Sequence, residues 1–185
     1  MPVQIGVKTH DFKEPLVLLS DCHRRIEMFL GILEAIAKCL DRAPTEETRR
    51  ALGSALRYFR EAAPKHTADE EQSLFPRLRR VRSISVEHAL SKIDELEREH
   101  HWAETLNKEV DDLGRRYLIR GKLSSAEVGK FRSHVASLSG MYKRHISVED
   151  RDLFPVAEGA LPQADKLAIA EEMAKRRTLN LDRKV

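Results

Sequence analysis

Two stretches of this chain copy each other. The first is His66-Thr67-Ala68-Asp69-Glu70, running on to Leu74-Phe75-Pro76. The second is His145-Ile146-Ser147-Val148-Glu149, running on to Leu153-Phe154-Pro155. Each reads H-x-x-x-E-x-x-x-L-F-P, and the copies lie 79 positions apart. On a helix, residues i and i+4 share a face, so each stretch offers an imidazole and a carboxylate to one point in space. The likeness extends upstream. His23, with Glu27 four residues on, precedes the first copy by 43 positions, and His100, with Glu104 four residues on, precedes the second by 45. A period this long is not a solenoid repeat. It suits a duplicated pair of helices, and helix packing alone does not require such a pairing twice.

The apolar residues follow a helical rhythm. Leu19, His23, Ile26, Leu30, Leu33, Ala37 and Leu40 form one stripe. Leu52, Leu56, Phe59, Ala63, His66, Glu70 and Leu74 form a second. Ile93, Leu96, His100, Ala103, Asn107 and Val110 form a third, and Val128, Phe131, Val135, Leu138, Tyr142, His145 and Glu149 a fourth. Steps of three and four read as inward faces of a bundle. The punctuation agrees: Pro44 and Thr45 open the second helix, Ser83 or Ser85 the third, and Ser124 to Glu127 form a capping box for the fourth. Pro64 should kink the second helix. A short fifth helix is expected from Gln163 to Arg177. With 34% charged and only 5% aromatic residues, composition also favours helices over sheets. The expected fold is all-α: an up-and-down antiparallel four-helix bundle with a short C-terminal fifth helix. It occupies residues 14–178, between an N-terminal extension (1–13) and a tail (179–185).

Each stripe carries one histidine in an aliphatic position, and two carry an inward carboxylate. A carboxylate in an apolar core costs several kcal/mol unless it is paired or bound to metal. No lysine or arginine lies on these stripes, so metal is the natural compensation. The expected metal ligands are His23, His66, Glu70, His100, His145 and Glu149. Glu27 and Glu104, one step off their stripes, are read either as solvated or supporting carboxylates or as further ligands. Asp150 is an alternative to Glu149, although repeat symmetry favours the latter. His101 is one residue, about 100°, from the third stripe and is assigned a supporting place at most. His10, His88 and His134 fall outside the repeat and are read as surface or ordinary core residues. Leu-Phe-Pro is read as packing and helix termination.

The net charge of +3 is too small to argue for nucleic acid. The run Arg77, Arg79, Arg80, Arg82 is read as a solvated helix end. Cys22 and Cys39, if on one helix, stand roughly 25 Å apart and cannot bridge, as suits a reducing compartment. The first 13 residues show neither a signal peptide nor a membrane segment, so a cytoplasmic location and no membrane partner are expected.

His23, then His66 with Glu70, then His100, then His145 with Glu149 resembles the hemerythrin-like HHE cation-binding domain of bacterial type, over about residues 14 to 178. The resemblance implies a non-haem centre of two iron ions, oxo- or hydroxo-bridged. Glu70 and Glu149 would bridge the irons and histidines would cap the outer positions. Oxygen-carrying hemerythrins have a histidine where Glu104 stands here. No cysteine-bearing segment like that of the iron–sulfur-cluster repair proteins precedes His23, and no effector domain is attached, so neither a repair role nor a chemotaxis-type sensor is expected. Ferritin-like bundles use Glu-x-x-His rather than His-x-x-x-Glu. The implied function is a di-iron protein that binds or reacts with O₂, NO or peroxide, or handles iron. The alternatives are a di-iron redox enzyme of peroxidase, catalase-like or NO-reducing type, and a zinc-binding structural bundle, since imidazole suits zinc as well as iron. The sequence does not identify a redox partner.

Overall fold

The computed structural model describes residues 14–178. The N-terminal extension with His10, the C-terminal tail and the side chain of His88 lie outside the described residues. Helix α1 (Pro15–Ala37) opens on a proline, whose fixed φ suits a first turn. Helix α2 (Glu46–Glu61) is capped by Thr45, whose hydroxyl accepts from the Thr48 N–H at 3.2 Å. The chain breaks at Ala62 and resumes as α3 (Ala63–Asp69), with Pro64 in its first turn. This is the kink expected of a residue without an N–H.

After α3 the backbone widens into a π-helical turn, Glu70–Leu74, before the short α4 (Phe75–Leu78). Helix α5 (Ile84–Arg120) starts at the Ser83 cap and ends at Gly121, whose φ of 72° is the left-handed conformation that favours glycine. Helix α6 (Ser125–Val148) opens with the capping box of Ser124 and Glu127. A second π-helical turn, Glu149–Leu153, leads into α7 (Phe154–Ala160), and α8 (Gln163–Thr178) follows.

Contrary to the reading of Leu-Phe-Pro as helix termination, these segments do not end their helices. Pro76 and Pro155 sit in the first turns of α4 and α7, which continue beyond the π turns. The wider turn carries each chain past its proline: the Phe75 N–H bonds back to the Glu70 carbonyl, and the Phe154 N–H to that of Glu149. Single π turns inside α-helices are rare and concentrate at functional sites.

Helix α1 packs on α2 and α6, and α5 packs on the same two. This closes the ring of an up-and-down four-helix bundle. Among the described residues no helix is long and apolar enough to cross a membrane. The core falls into two apolar clusters. One contains Ile26, Leu33, Leu56, Phe59, Val110, Phe131 and Leu138. The other contains Leu19, Leu74, Phe75, Leu78, Ile93, Leu153 and Phe154. On α1 and α5 the histidine falls between residues of the two clusters, so the polar layer crosses the middle of the bundle.

Helix α8 packs on α3 and α1 and is latched there by charge. Asp69 is fully buried and accepts from Arg176 at 2.9 Å and Arg177 at 2.7 Å. Arg77 pairs with Glu172 at 2.8 Å, and Arg79 with Glu97 and Asp94, both at 2.9 Å. Half of the basic run is therefore engaged in ion pairs. Removing both partners of a buried carboxylate leaves it uncompensated, which costs about 3–5 kcal/mol. The double variant Arg176→Ala, Arg177→Ala is expected to lose stability on that scale in urea unfolding. A loss under about 1 kcal/mol, ordinary for exposed pairs, would show that Asp69 does not depend on them.

Candidate metal centre

Six side chains meet in the polar layer. His23 comes from α1, His66 and Glu70 from α3 and the first π turn, His100 from α5, and His145 and Glu149 from α6 and the second π turn. All are buried, with both glutamates and His23 at 0% exposure. They form two overlapping groups. His23, His66, Glu70 and Glu149 offer ligand atoms within 4.8 Å of one another, and so do Glu70, His100, His145 and Glu149. The glutamates belong to both groups. Every imidazole faces the centre through Nε2. His23 lies 3.1 Å from Glu149 and 3.8 Å from Glu70; His66 is 3.3 Å and His100 3.4 Å from Glu70; His145 is 3.3 Å from Glu149.

The donor set fits a metal. His23 Nε2, His145 Nε2 and all four carboxylate oxygens of Glu70 and Glu149 are buried without a hydrogen-bond partner. Buried polar atoms in native proteins are nearly always satisfied, and these six converge on one small volume. Neutral imidazole nitrogen and carboxylate oxygen are ligands that iron and zinc both accept.

Around the centre stands a ring of supporting carboxylates. His23 Nδ1 is hydrogen-bonded to Asp150 at 2.8 Å, His100 Nδ1 to Glu71 at 2.9 Å, and His145 Nδ1 to Glu99 at 2.8 Å. Such contacts fix the imidazole tautomer with Nε2 free for a metal and raise its basicity. Two of the supports, Glu71 and Asp150, directly follow the inward glutamates, within the π turns. Asp150, weighed above as an alternative to Glu149, stands behind His23 rather than in either ligand group. Glu71 shares with Asp150 the place directly after an inward glutamate, i+5 from a repeat histidine, and this marks the two as a pair in the sequence; Glu99 has no counterpart in the other half and carries no such signal.

The aromatic residues of Leu-Phe-Pro cross between the halves. Phe154 stacks on His23 (centroids 5.4 Å, planes 10° apart) and Phe75 on His100 (6.4 Å, 6°).

Glu27 and Glu104 are not brought to the centre. On α1 the inward stripe steps from His23 to Ile26 and Leu30, so Glu27 turns outward; it is 47% exposed and pairs with Arg24 at 3.0 Å. On α5 the stripe steps from His100 to Ala103, leaving Glu104 exposed on the wall of an outer cavity. His101 lines the same cavity and is exposed. His134 pairs with Glu109 at 2.7 Å, away from the centre. Cys22 is buried and Cys39 exposed, both free.

The electrostatics of the metal-free centre are those of an internal ion cluster. Burial pulls the His23 imidazole down, but its bond to Asp150 and the nearness of the Glu149 and Glu70 carboxylates push it up to about 12. Against the same opposing burial, Glu70 and Glu71 raise His100 to about 10. Glu149 and Glu99 raise His145 to about 9. Burial keeps His66 low, hence neutral. Burial works to raise Glu70, yet the surrounding imidazoles hold it well below the usual carboxylate range; Glu149 is lowered in the same way. Three imidazolium groups thus face two carboxylates where the sequence suggested uncompensated charge.

Two cavities adjoin the centre. The inner one is lined by all four histidines with Ile26, Ala63, Thr67, Tyr142 and Ile146. The outer one, about 580 Å³, runs between α2–α3 and α5. They share Ala63, Thr67, His100 and Tyr142, which stand between the outer cavity and the centre.

Fold and site together define an imidazole-rich, cation-binding four-helix bundle. The chain belongs to the hemerythrin HHE cation-binding domain family, whose model matches residues 14–157. An uncharacterized protein of Haemophilus influenzae is 32% identical over 92 residues, 49% of this chain and 51% of that protein. The chain therefore spans about half the length of this curated relative. Helix α8 lies beyond the family match.

Proposed function

We propose that the protein holds two iron ions as a non-haem di-iron centre and binds or reacts with a small oxidant: O₂, NO or peroxide. The observation that supports this most is the pair of overlapping buried groups, each with two imidazoles and both sharing Glu70 and Glu149. Bridging carboxylates suit two like ions held close together, and a metal pair supplies ligand exchange and one-electron redox chemistry. The chain's own residues bind and orient it. Asp150, Glu71 and Glu99 hold three imidazoles in the ligating tautomer, Phe75 and Phe154 fix ring planes, and the two apolar clusters exclude water above and below. We place this activity in the cytoplasm.

With Glu27 and Glu104 turned away, the centre would offer four imidazoles and two carboxylates, and two ions held there would have room for small ligands. That favours reaction over reversible O₂ carriage. Protein purified without added metal is expected to contain two irons per chain and to absorb in the near ultraviolet and visible, as zinc protein would not. Mixing the reduced protein with O₂ or peroxide should end in a stable di-ferric form. A persistent species that releases O₂ under vacuum would restore oxygen storage instead, and zinc with no iron would leave a structural bundle.

The outer cavity favours a second reading, an enzyme of peroxidase type. Its volume of about 580 Å³ is within the range of small-molecule sites and exceeds what a diatomic gas needs. Steady-state turnover of peroxide with an added organic reductant separates this reading from simple binding.

A further inference from the structure

The two halves of the centre differ in one respect. Three of the four imidazoles have a carboxylate behind them. His66 does not: its Nδ1 is buried and has no hydrogen-bond partner among the described residues. The sequence gives the reason. Glu99, which supports His145, stands immediately before His100. The matching residue immediately before His23 is Cys22. A thiol is a weak acceptor, and Cys22 stands near the Arg177 guanidinium of α8, which holds Asp69. The single support on this side, Asp150, also accepts from Ser20 at 2.9 Å and pairs with Arg24 at 2.5 Å. Glu99, apart from His145, has Arg144 beside it at 3.5 Å.

A carboxylate behind a ligating imidazole makes it a stronger donor, and loss of such a partner typically costs about 10–100-fold in metal affinity. We propose that the two metal positions are unequal. The position at His100 and His145 retains its ion, the position at His23 and His66 exchanges it, and Glu99 is the positioning residue that sets the difference. This rests on the metal-binding reading above.

The test is a titration of metal-free protein with Co²⁺ alone. Two dications close together bind in two steps even at identical positions, so the comparison is between chains with one position disabled. His66→Ala leaves the His100–His145 position intact, and His145→Ala leaves the other. The first Co²⁺ should bind His66→Ala about 10–100-fold more tightly than His145→Ala. Glu99→Gln, which keeps every ligand, should weaken the tighter step of the parent by about tenfold or more. It should also move the paramagnetically shifted N–H resonance of His145 and leave those of His23 and His100 in place. Equal first affinities in the two histidine variants would overturn the proposal, as would unchanged binding in Glu99→Gln. The glutamine variant decides alone if either histidine variant fails to fold. Failure of the parent chain to bind Co²⁺ would instead remove the metal reading itself.

Discussion

Replacing Glu70 or Glu149 with alanine is expected to remove both metal ions, whereas replacing one histidine removes at most one. The glutamates are common to the two ligand groups, and each imidazole belongs to only one. Loss of either carboxylate therefore takes an anionic ligand from both positions and leaves each with one carboxylate for a dication in a buried site. The damage should extend to the metal-free protein. Glu70 lies against His23, His66 and His100, and Glu149 against His23 and His145. Breaking a buried charge cluster by removing one partner costs about 3–5 kcal/mol. Elemental analysis of the purified variants reads the first effect and urea unfolding the second. Two ions per chain retained by either glutamate variant would remove that residue from the bridge.

Metal binding should compete with protons, steeply. At neutral pH the metal-free centre holds protons on His23, His100 and His145, whose values stand at about 12, 10 and 9. Each must lose its proton for Nε2 to bind an ion, while neutral His66 loses none. Loading both positions near pH 7 should thus release about three protons, and the overall binding constant should rise by about a thousandfold per pH unit. Calorimetry in buffers of different ionisation enthalpy counts the protons. Binding that does not change between pH 6.5 and 8 would show that the imidazoles are already neutral. Stability of the metal-free protein follows the same groups with the signs opposed. The raised histidines contribute stability that is complete below their unfolded value, about 6.5, and lost as pH climbs through 9 and above. The lowered Glu70 and Glu149 contribute stability that is present above about 4.5 and lost in acid. Metal-free protein should therefore melt highest between these limits. Metal-loaded protein should melt higher still at neutral pH, with the gap closing as acid strips the ions.

Most of the bundle could be read from the sequence because its signals are local. Thr45, Ser83 and Ser124 cap the helices they precede, Gly121 ends α5 and Pro64 breaks α2 from α3, each acting within a turn of its own position. The six centre residues were readable because a histidine or glutamate on an apolar stripe contradicts its surroundings, and the duplication shows the contradiction twice. The π turns were not readable. They arise where Pro76 and Pro155 meet a helix that tertiary packing keeps from ending, and no propensity marks that compromise. The supporting carboxylates were obscured for a related reason. Glu71 and Glu99 stand off their stripes and look solvated until a neighbouring helix brings an imidazole to them. Glu27 and Glu104 share that appearance and meet no such partner. The latch of Asp69 on Arg176 and Arg177 spans more than a hundred residues, so neither end identifies the other.

Each ligand group takes three residues from one repeat unit and a glutamate from the other, and the supports behind His23 and His100 cross in the same direction. Neither helix pair holds a complete site by itself. The chain is organised as a two-fold dimer whose protomers have been joined by the residues between α4 and α5. A complete ligand group therefore exists only where both halves have docked. Cut between Arg79 and Ser83, the two pieces would regain the site only by reassociating across the two apolar clusters they share.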